Sequence, residues 1–455
     1  MSLNSTQSLP MNLPRDICRE IAAAVRESDR ATFRTKTEAE WILETWTLKS
    51  ISLTCRMWRE EPIPILWSEL FLCYDDQLQT SFNDFDYDVS KTWSTMISKR
   101  YTKYLKRLVI SFYVWGRDLL IPFGRIVRDV NNILSLSPGL QHLRFRCAAE
   151  AKPLISHLTS LYFSSLRALD IESNVTLETE EASAIGRFLL KHPKLEELRI
   201  ETDSEFHWDT LRKDNPLPKV ELFDGNFAHL ALLGSAKRLS TVKSQLSAPS
   251  YSEEIDQLAF VSELALLSNP FPNVTVLKLH PWPTVHLDSK TLEALDRSFP
   301  ALEHIEGLEL KQPFVDFMAS DEIDHLAFLP RLRTLSTSES FDWIGVAEAG
   351  IQIPSLDELE QAFSALRRIF PVFRTAELKW RASIEDETEW TTIRVSFEEN
   401  GEDIACYKET TYSHCPEHNT VEEYHLTAGK YLPNSPSPVR QIYTVVDAEP
   451  VEMNL

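Results

Sequence analysis

Residues of the types that do chemistry cluster in two places, and their spacing decides what each cluster can do. His414-Cys415-Pro416-Glu417-His418, taken with Cys406, offers four nitrogen and sulfur ligands, the number zinc takes. The spacing matches no common zinc pattern, and adjacent ligands on a strand point to opposite sides, so ordinary loop residues are the expectation. Asp84-Phe85-Asp86-Tyr87-Asp88 alternates carboxylates as a calcium loop does. Yet Val89 stands where that loop needs glycine and Thr95 where it needs glutamate, so a solvated acidic loop is the better reading. No phosphate-cradling glycine loop, nucleophile elbow or His-Glu-x-x-His pair occurs, and 11 glycines in 455 residues leave little material for one. The expectation is a chain with no catalytic residue, no metal and no cofactor.

The chain is too long for one ordinary core, so several domains or an elongated array are expected. A net charge of −21 argues against nucleic acid and anionic membrane as partners. The charge is uneven. Residues 381–455 hold 15 acidic and 5 basic residues, whereas 99–128 holds eight basic residues against Asp118 alone. Six scattered cysteines suit a reducing compartment, and the first residues have neither the basic start nor the apolar core of a signal peptide. No apolar run has the length of a membrane span. A cytoplasmic or nuclear, non-secreted protein is the expectation.

The N-terminal segment holds Leu13-Pro14-Arg15-Asp16-Ile17 with Ile21 and Val25 at helical spacing, and Pro14 suits the first turn of a helix. A second helix over 38–60 carries Leu48, Ile51, Leu53, Cys55 and Trp58 and ends at Pro62 and Pro64, just before Leu66-Trp67. This set resembles an F-box: Leu-Pro opening a short helix, a Leu-rich helix ending in Cys-Arg-x-Trp, then Leu-Trp. The 44 positions from Pro14 to Trp58 exceed what an F-box usually needs. The resemblance implies docking onto a Skp-family adaptor through Leu13, Pro14, Ile17, Ile21, Leu48, Leu53, Trp58, Leu66 and Trp67. A domain this small cannot bury so many apolar groups internally.

From residue 105 a pattern recurs: apolar, two variable, apolar, one variable, apolar. Clear copies start at Leu105, Leu140, Leu166, Leu195 and Val274. At Leu302 the copy runs into a second register from Ile305. A copy at Leu332 fades, and weak ones begin at Leu217, Leu239 and Phe373. Helical stretches separate them. The first, 177–191, carries Ala182, Ile185, Leu189 and Leu190; the second, 253–267, carries Leu258, Val261 and Leu264; 292–299 and 356–370 follow. Stops containing proline recur at His192-Pro193, Pro270-Phe271-Pro272, Phe299-Pro300, Leu329-Pro330 and Phe370-Pro371. Strand, helix and proline stop, repeated, make the unit of a solenoid, because one unit cannot bury its leucines alone. The whole resembles F-box proteins with irregular leucine-rich repeats of the fungal type.

The expected fold class is therefore α/β: a helical domain over 1–75, a leucine-rich-repeat solenoid over 76–380, and an acidic C-terminal β-hairpin and loose tail over 381–455. The alternate strand positions should face outward. They are Arg107, Val109, His142, Arg144, Ala168, Asp170, Glu197, Arg199, Val276, Lys278, Thr334 and Ser336, and the early lane of Arg107, His142 and Arg144 is basic. The resemblance implies a substrate-recognition subunit of an SCF-type ubiquitin ligase. The adaptor would join it to a cullin and RING core, and that outward face would hold a protein substrate.

Overall fold

The computed structural model describes residue 20 and the segments 63–66, 68–75, 102–113, 123–147, 152–173, 179–202, 217–230, 233–234, 236–245, 253–267, 269–280, 285–286, 288–309, 329–337, 370, 372–384, 387–397, 403–412, 420–427 and 440–444. The chain divides into two units, Met1–Ser204 and Glu205–Leu455.

The first unit stacks five parallel strands in chain order: β1 (Glu69–Asp75), β2 (Arg107–Tyr113), β3 (His142–Cys147), β4 (Ala168–Ser173) and β5 (Glu197–Thr202). Among its helices are α1 (Ile63–Leu66), α2 (Phe123–Ser135), α3 (Lys152–Leu158) and α4 (Thr179–Leu190). Leu108, Ile110, Leu143, Phe145, Leu169, Ile171, Leu198 and Ile200 are at most 1% exposed. Each such burial contributes roughly 1.5–3 kcal/mol, and only stacked neighbours can supply it.

The second unit continues the design with β6 (Leu222–Asn226), β7 (Thr241–Gln245), β8 (Val276–Leu279), β9 (Val285–His286), β10 (His304–Glu309), β11 (Thr334–Thr337) and β12 (Thr375–Ile384). Its helices include α5 (Phe227–Leu230), α6 (Glu253–Ala265) and α7 (Ser289–Ser298). The sheet runs parallel from β6 to β8, then β10, β11 and β12, with β9 beside the far end of β10. From β12 onward it turns antiparallel through β13 (Glu387–Phe397), β14 (Asp403–Tyr412), β15 (Thr420–Thr427) and β16 (Arg440–Thr444).

Two backbone devices recur in both units. In the first, a tight turn precedes the strand: the amide of the pattern's first apolar residue donates to the carbonyl three residues back. Leu105 bonds Thr102, Leu140 bonds Ser137, Leu166 bonds Phe163, Leu195 bonds His192 and Leu302 bonds Phe299, at 3.1–3.2 Å. Pro138, Pro193, Pro218, Pro272, Pro300 and Pro330 fill the second position of such turns, where a fixed φ is an advantage. The proline stops are therefore corners that launch the next strand. In the second device, the carbonyl just before a strand accepts two consecutive amides from the next repeat, at nine of the described parallel strands. Lys106 O takes Gln141 and His142 at 2.8 and 2.9 Å, and Gln141 O takes Arg167 and Ala168 at 2.8 and 3.0 Å. Ser68, Arg167, Glu221, Ser240, Thr275, Glu303 and Arg333 do the same.

The structure corrects several expectations. Among the described residues the sheet starts at β1, ahead of the first leucine copy. The copy expected at Leu217 starts at Val220, because Leu217 is the turn residue whose carbonyl holds the Val220 amide. At Leu302 the first register holds, with His304 opening the strand. The C-terminal hairpin is one part of the β12–β16 meander, and the expected loose end contains β16. The α4 stripe is Ala184, Ile185, Phe188 and Leu189, with Leu190 exposed. On α6, Phe260 and Leu264 face inward and Leu258 is 61% exposed. In both helices the bulkiest ring, Phe188 or Phe260, is buried and rotates the buried face away from the expected line. The expected helix at 356–370 lies outside the described residues, apart from Phe370.

His192 replaces an apolar residue at a turn start. It is buried, stacked near Phe163 and Phe188, and uses both ring nitrogens. Nε2 accepts the Phe163 amide at 2.9 Å, and Nδ1–H donates to the Phe188 carbonyl at 2.7 Å. Burial pushes its pKa below the ordinary 6.5, against the Phe188 hydrogen bond that pulls it up, with nearby Lys191 pushing it further down. A His held neutral when folded loses stability as pH falls below its unfolded pKa, because the unfolded chain then binds the proton first. Thermal melts should therefore show a midpoint that drops below about pH 6.5. The drop should flatten in His192→Phe, whose midpoint is lower throughout because the Phe163 amide loses its acceptor.

Gly307 forms a bulge in β10 at φ 96°, and a Cβ there would stand 2.3 Å from the Leu279 carbonyl oxygen. Gly124, in α2, has nothing within 4 Å of that position. Denaturant unfolding should show Gly307→Ala losing on the order of 2–4 kcal/mol, and Gly124→Ala gaining about 0.5–1 kcal/mol from helix propensity.

Candidate interaction surface

Strand alternation and the shared-carbonyl register together align the outward side chains into rows. In the first unit one row reads Arg107, His142, Ala168, Glu197. The next reads Val109, Arg144, Asp170, Arg199, and the third Ser111, Arg146, Glu172, Glu201. The outward residues chosen from the sequence thus come together as neighbours in the first two rows. Val109 is the exception in exposure: it is buried at 1%. Alternation sets the side a residue faces, and neighbours set its exposure; Val109 is short and stands in register with the long Arg144.

Arg146, Glu172 and Glu201 were missed, although they lie two residues beyond Arg144, Asp170 and Arg199. The signal was present, because outward alternation continues past the last apolar position of each copy. They complete a lattice of ion pairs. Arg144 Nε meets Asp170 Oδ2 at 2.9 Å and Arg144 Nη2 meets Glu172 Oε2 at 3.6 Å. Arg146 Nε donates to Glu172 Oε2 at 2.7 Å, and Arg199 Nη2 donates to Glu201 Oε2 at 2.6 Å. Arg199 Nε lies 3.8 Å from Asp170 Oδ1. Three guanidinium groups thus face three carboxylates, each about a quarter exposed.

The basic lane expected from the sequence is therefore neutralised at Arg144 by carboxylates of the next strand. Burial still pushes the Asp170 pKa up, with Arg144 and Arg199 pulling it down less strongly, so desolvation outweighs pairing at this carboxylate. Burial, followed by the charge of Arg107, pushes the pKa of His142 down, so it is a weaker cation than its position suggests.

In the second unit the corresponding row is Asp224, Lys243, Lys278, Glu306, Ser336, Glu377. Lys278, expected to face outward, does so and pairs with Glu306. Beside this row, His304 Nδ1 bonds Thr334 Oγ1.

The F-box-like residues Leu13, Pro14, Ile17, Ile21, Leu48, Leu53, Trp58 and Trp67 lie outside the described residues, and Leu66 is described only as backbone at the end of α1. Of the zinc candidates, Cys406 lies in β14 opposite Val395 and Tyr424, and His414, Cys415 and His418 are outside the described residues. Among the described residues no group of three or more His, Cys, Asp or Glu could hold a metal, and no helix is long and apolar enough to cross a membrane.

The fold is thus an α/β repeat architecture, with parallel strands alternating with helices and stacked in chain order. Neither a scan against protein-family models nor a search of curated proteins finds a match to this chain.

Proposed function

We propose that this chain is a non-catalytic substrate-recognition subunit of an SCF-type ubiquitin ligase. The segment from Leu13 to Trp67 docks a Skp-family adaptor and through it a cullin and RING core. The outward face of the repeat sheet holds a protein substrate. Chemistry occurs elsewhere; this subunit raises the effective concentration of substrate lysines near the charged thioester. The observation that supports it most is the repeat sheet itself, whose aligned rows of charged outward side chains offer an extended recognition surface. The Leu-Pro and Cys-Arg-x-Trp pattern supports the docking half.

A second reading is a leucine-rich scaffold that no longer engages a ligase. The long stretch between Pro14 and Trp58 favours it. Binding of a purified Skp-family adaptor to the full chain separates the two, with Leu13→Ala/Pro14→Ala as the control. Trp67 is left native, because it precedes Glu69 by the two residues that separate Leu105 from Arg107, and Glu69 pairs with Arg107. A substitution there, two residues before the strand Glu69–Asp75, would confound docking with folding. The ligase reading expects tight binding that weakens by about thirtyfold or more in a variant with an unchanged melting temperature. No binding by the folded wild-type chain would transfer the case to the scaffold reading.

A further inference from the structure

The outward faces of the two units differ in how their charges close. In the first unit the arginines and carboxylates pair with one another along and across β3, β4 and β5. In the second, Lys243 and Lys278 stand directly opposite in neighbouring strands, a like-charge pairing that a sheet ordinarily avoids. Lys278 reaches Glu306 on its other side, while Lys243 makes no ion pair among the described residues. Both are half-buried, so their repulsion is less screened than on an open surface. Asp224 flanks Lys243 in register, and Glu306 flanks Lys278. Read across the strands the row is therefore acid, base, base, acid.

Resting on the reading of this face as the substrate face, we infer that the row binds an extended protein segment of the pattern basic-x-acidic-x-basic. Its acidic side chain seats between Lys243 and Lys278, and its basic side chains meet Asp224 and Glu306. The dimensions agree. Strands lie about 4.8 Å apart, so Asp224 to Glu306 spans roughly 14 Å, with the midpoint of the two lysines near 7 Å. An extended chain rises about 3.3 Å per residue, so side chains two and four residues on lie roughly 6.6 and 13 Å along, on the same side. One carboxylate then receives two ammonium groups, which relieves the opposition of the lysines. The partner is a basic segment with a central acid, which suits a chain of net charge −21.

The test uses the full chain and a fluorescein-labelled peptide with the core Lys-Thr-Glu-Thr-Lys, compared with the charge-reversed core Glu-Thr-Lys-Thr-Glu. Polarisation titrations at low salt should show the first binding about tenfold more tightly or better. Lys243→Glu should abolish that preference, and Lys243→Gln should reduce it, with melting temperatures unchanged because this half-buried side chain is not part of the core. Equal affinity for the two peptides, no binding of either, or a preference that survives in Lys243→Glu overturns the inference. The outcome is independent of the adaptor experiment. Adaptor binding without peptide preference removes this site and leaves the ligase reading. Peptide preference without adaptor binding removes the ligase reading and leaves the site.

Discussion

One carbonyl oxygen before each of nine described parallel strands accepts two consecutive amides of the next repeat, and the rest of the molecule depends on that arrangement. A parallel strand pair has no hairpin to set its register, and a slip of one residue would turn every leucine outward. The doubled acceptor at Lys106, Gln141 and Arg167, and again from Glu221 to Arg333, fixes the starting point of each new strand. Once it is fixed, the leucine rungs meet inside and the charged rows meet outside. The ion-pair lattice of Arg144, Arg146, Asp170, Glu172, Arg199 and Glu201, and the lysine pair of the second unit, are both consequences of that register.

The turn before each strand supplies the other half of the design. Its first residue is buried, and its fourth is the first rung. Phe163, Phe271, Phe299, Leu329 and Phe370 fill the buried position with apolar bulk, and Phe271 and Phe299 lie 6.1 Å apart between ring centres. Thr102, Ser137 and His192 put polar groups in that buried position, and Gly307 breaks the strand register. His192 introduces a group that titrates into a position of bulk, held neutral by the backbone on both sides. Gly307 lets a bulge pass over the Leu279 carbonyl, after which β10 picks up β9 as a further neighbour.

Much of this was legible in the residues. Leu105, Leu140, Leu166, Leu195 and Val274 announce their strands, and alternation from them places Arg107, Arg144, Asp170, Arg199 and Lys278 on one face. Other parts misled for physical reasons. The turn residue and the first rung are three apart, as are the first and second rungs, so Leu217-x-x-Val220 and a true rung pair look alike. β1 was missed because Trp67-Ser68 precedes Leu70 and Leu72 where a leucine or valine opens the clear copies. The neutralisation of Arg144 could not be foreseen, because it depends on carboxylates 26 and 28 residues further along the chain that only the register brings beside it. Side-chain direction follows from local alternation, whereas charge compensation follows from long-range pairing.

Amide hydrogen exchange measures the central constraint directly. The amides of Gln141, Arg167 and Glu196 each lie just before a strand, where a frayed ladder would exchange fast. If the doubled acceptors lock the register, these amides exchange as slowly as those of Leu143, Leu169 and Leu198 within the strands, and by the same opening. Exchange at the rate of exposed turn amides would contradict the account, and with it the alignment of the rows that the proposed surface needs.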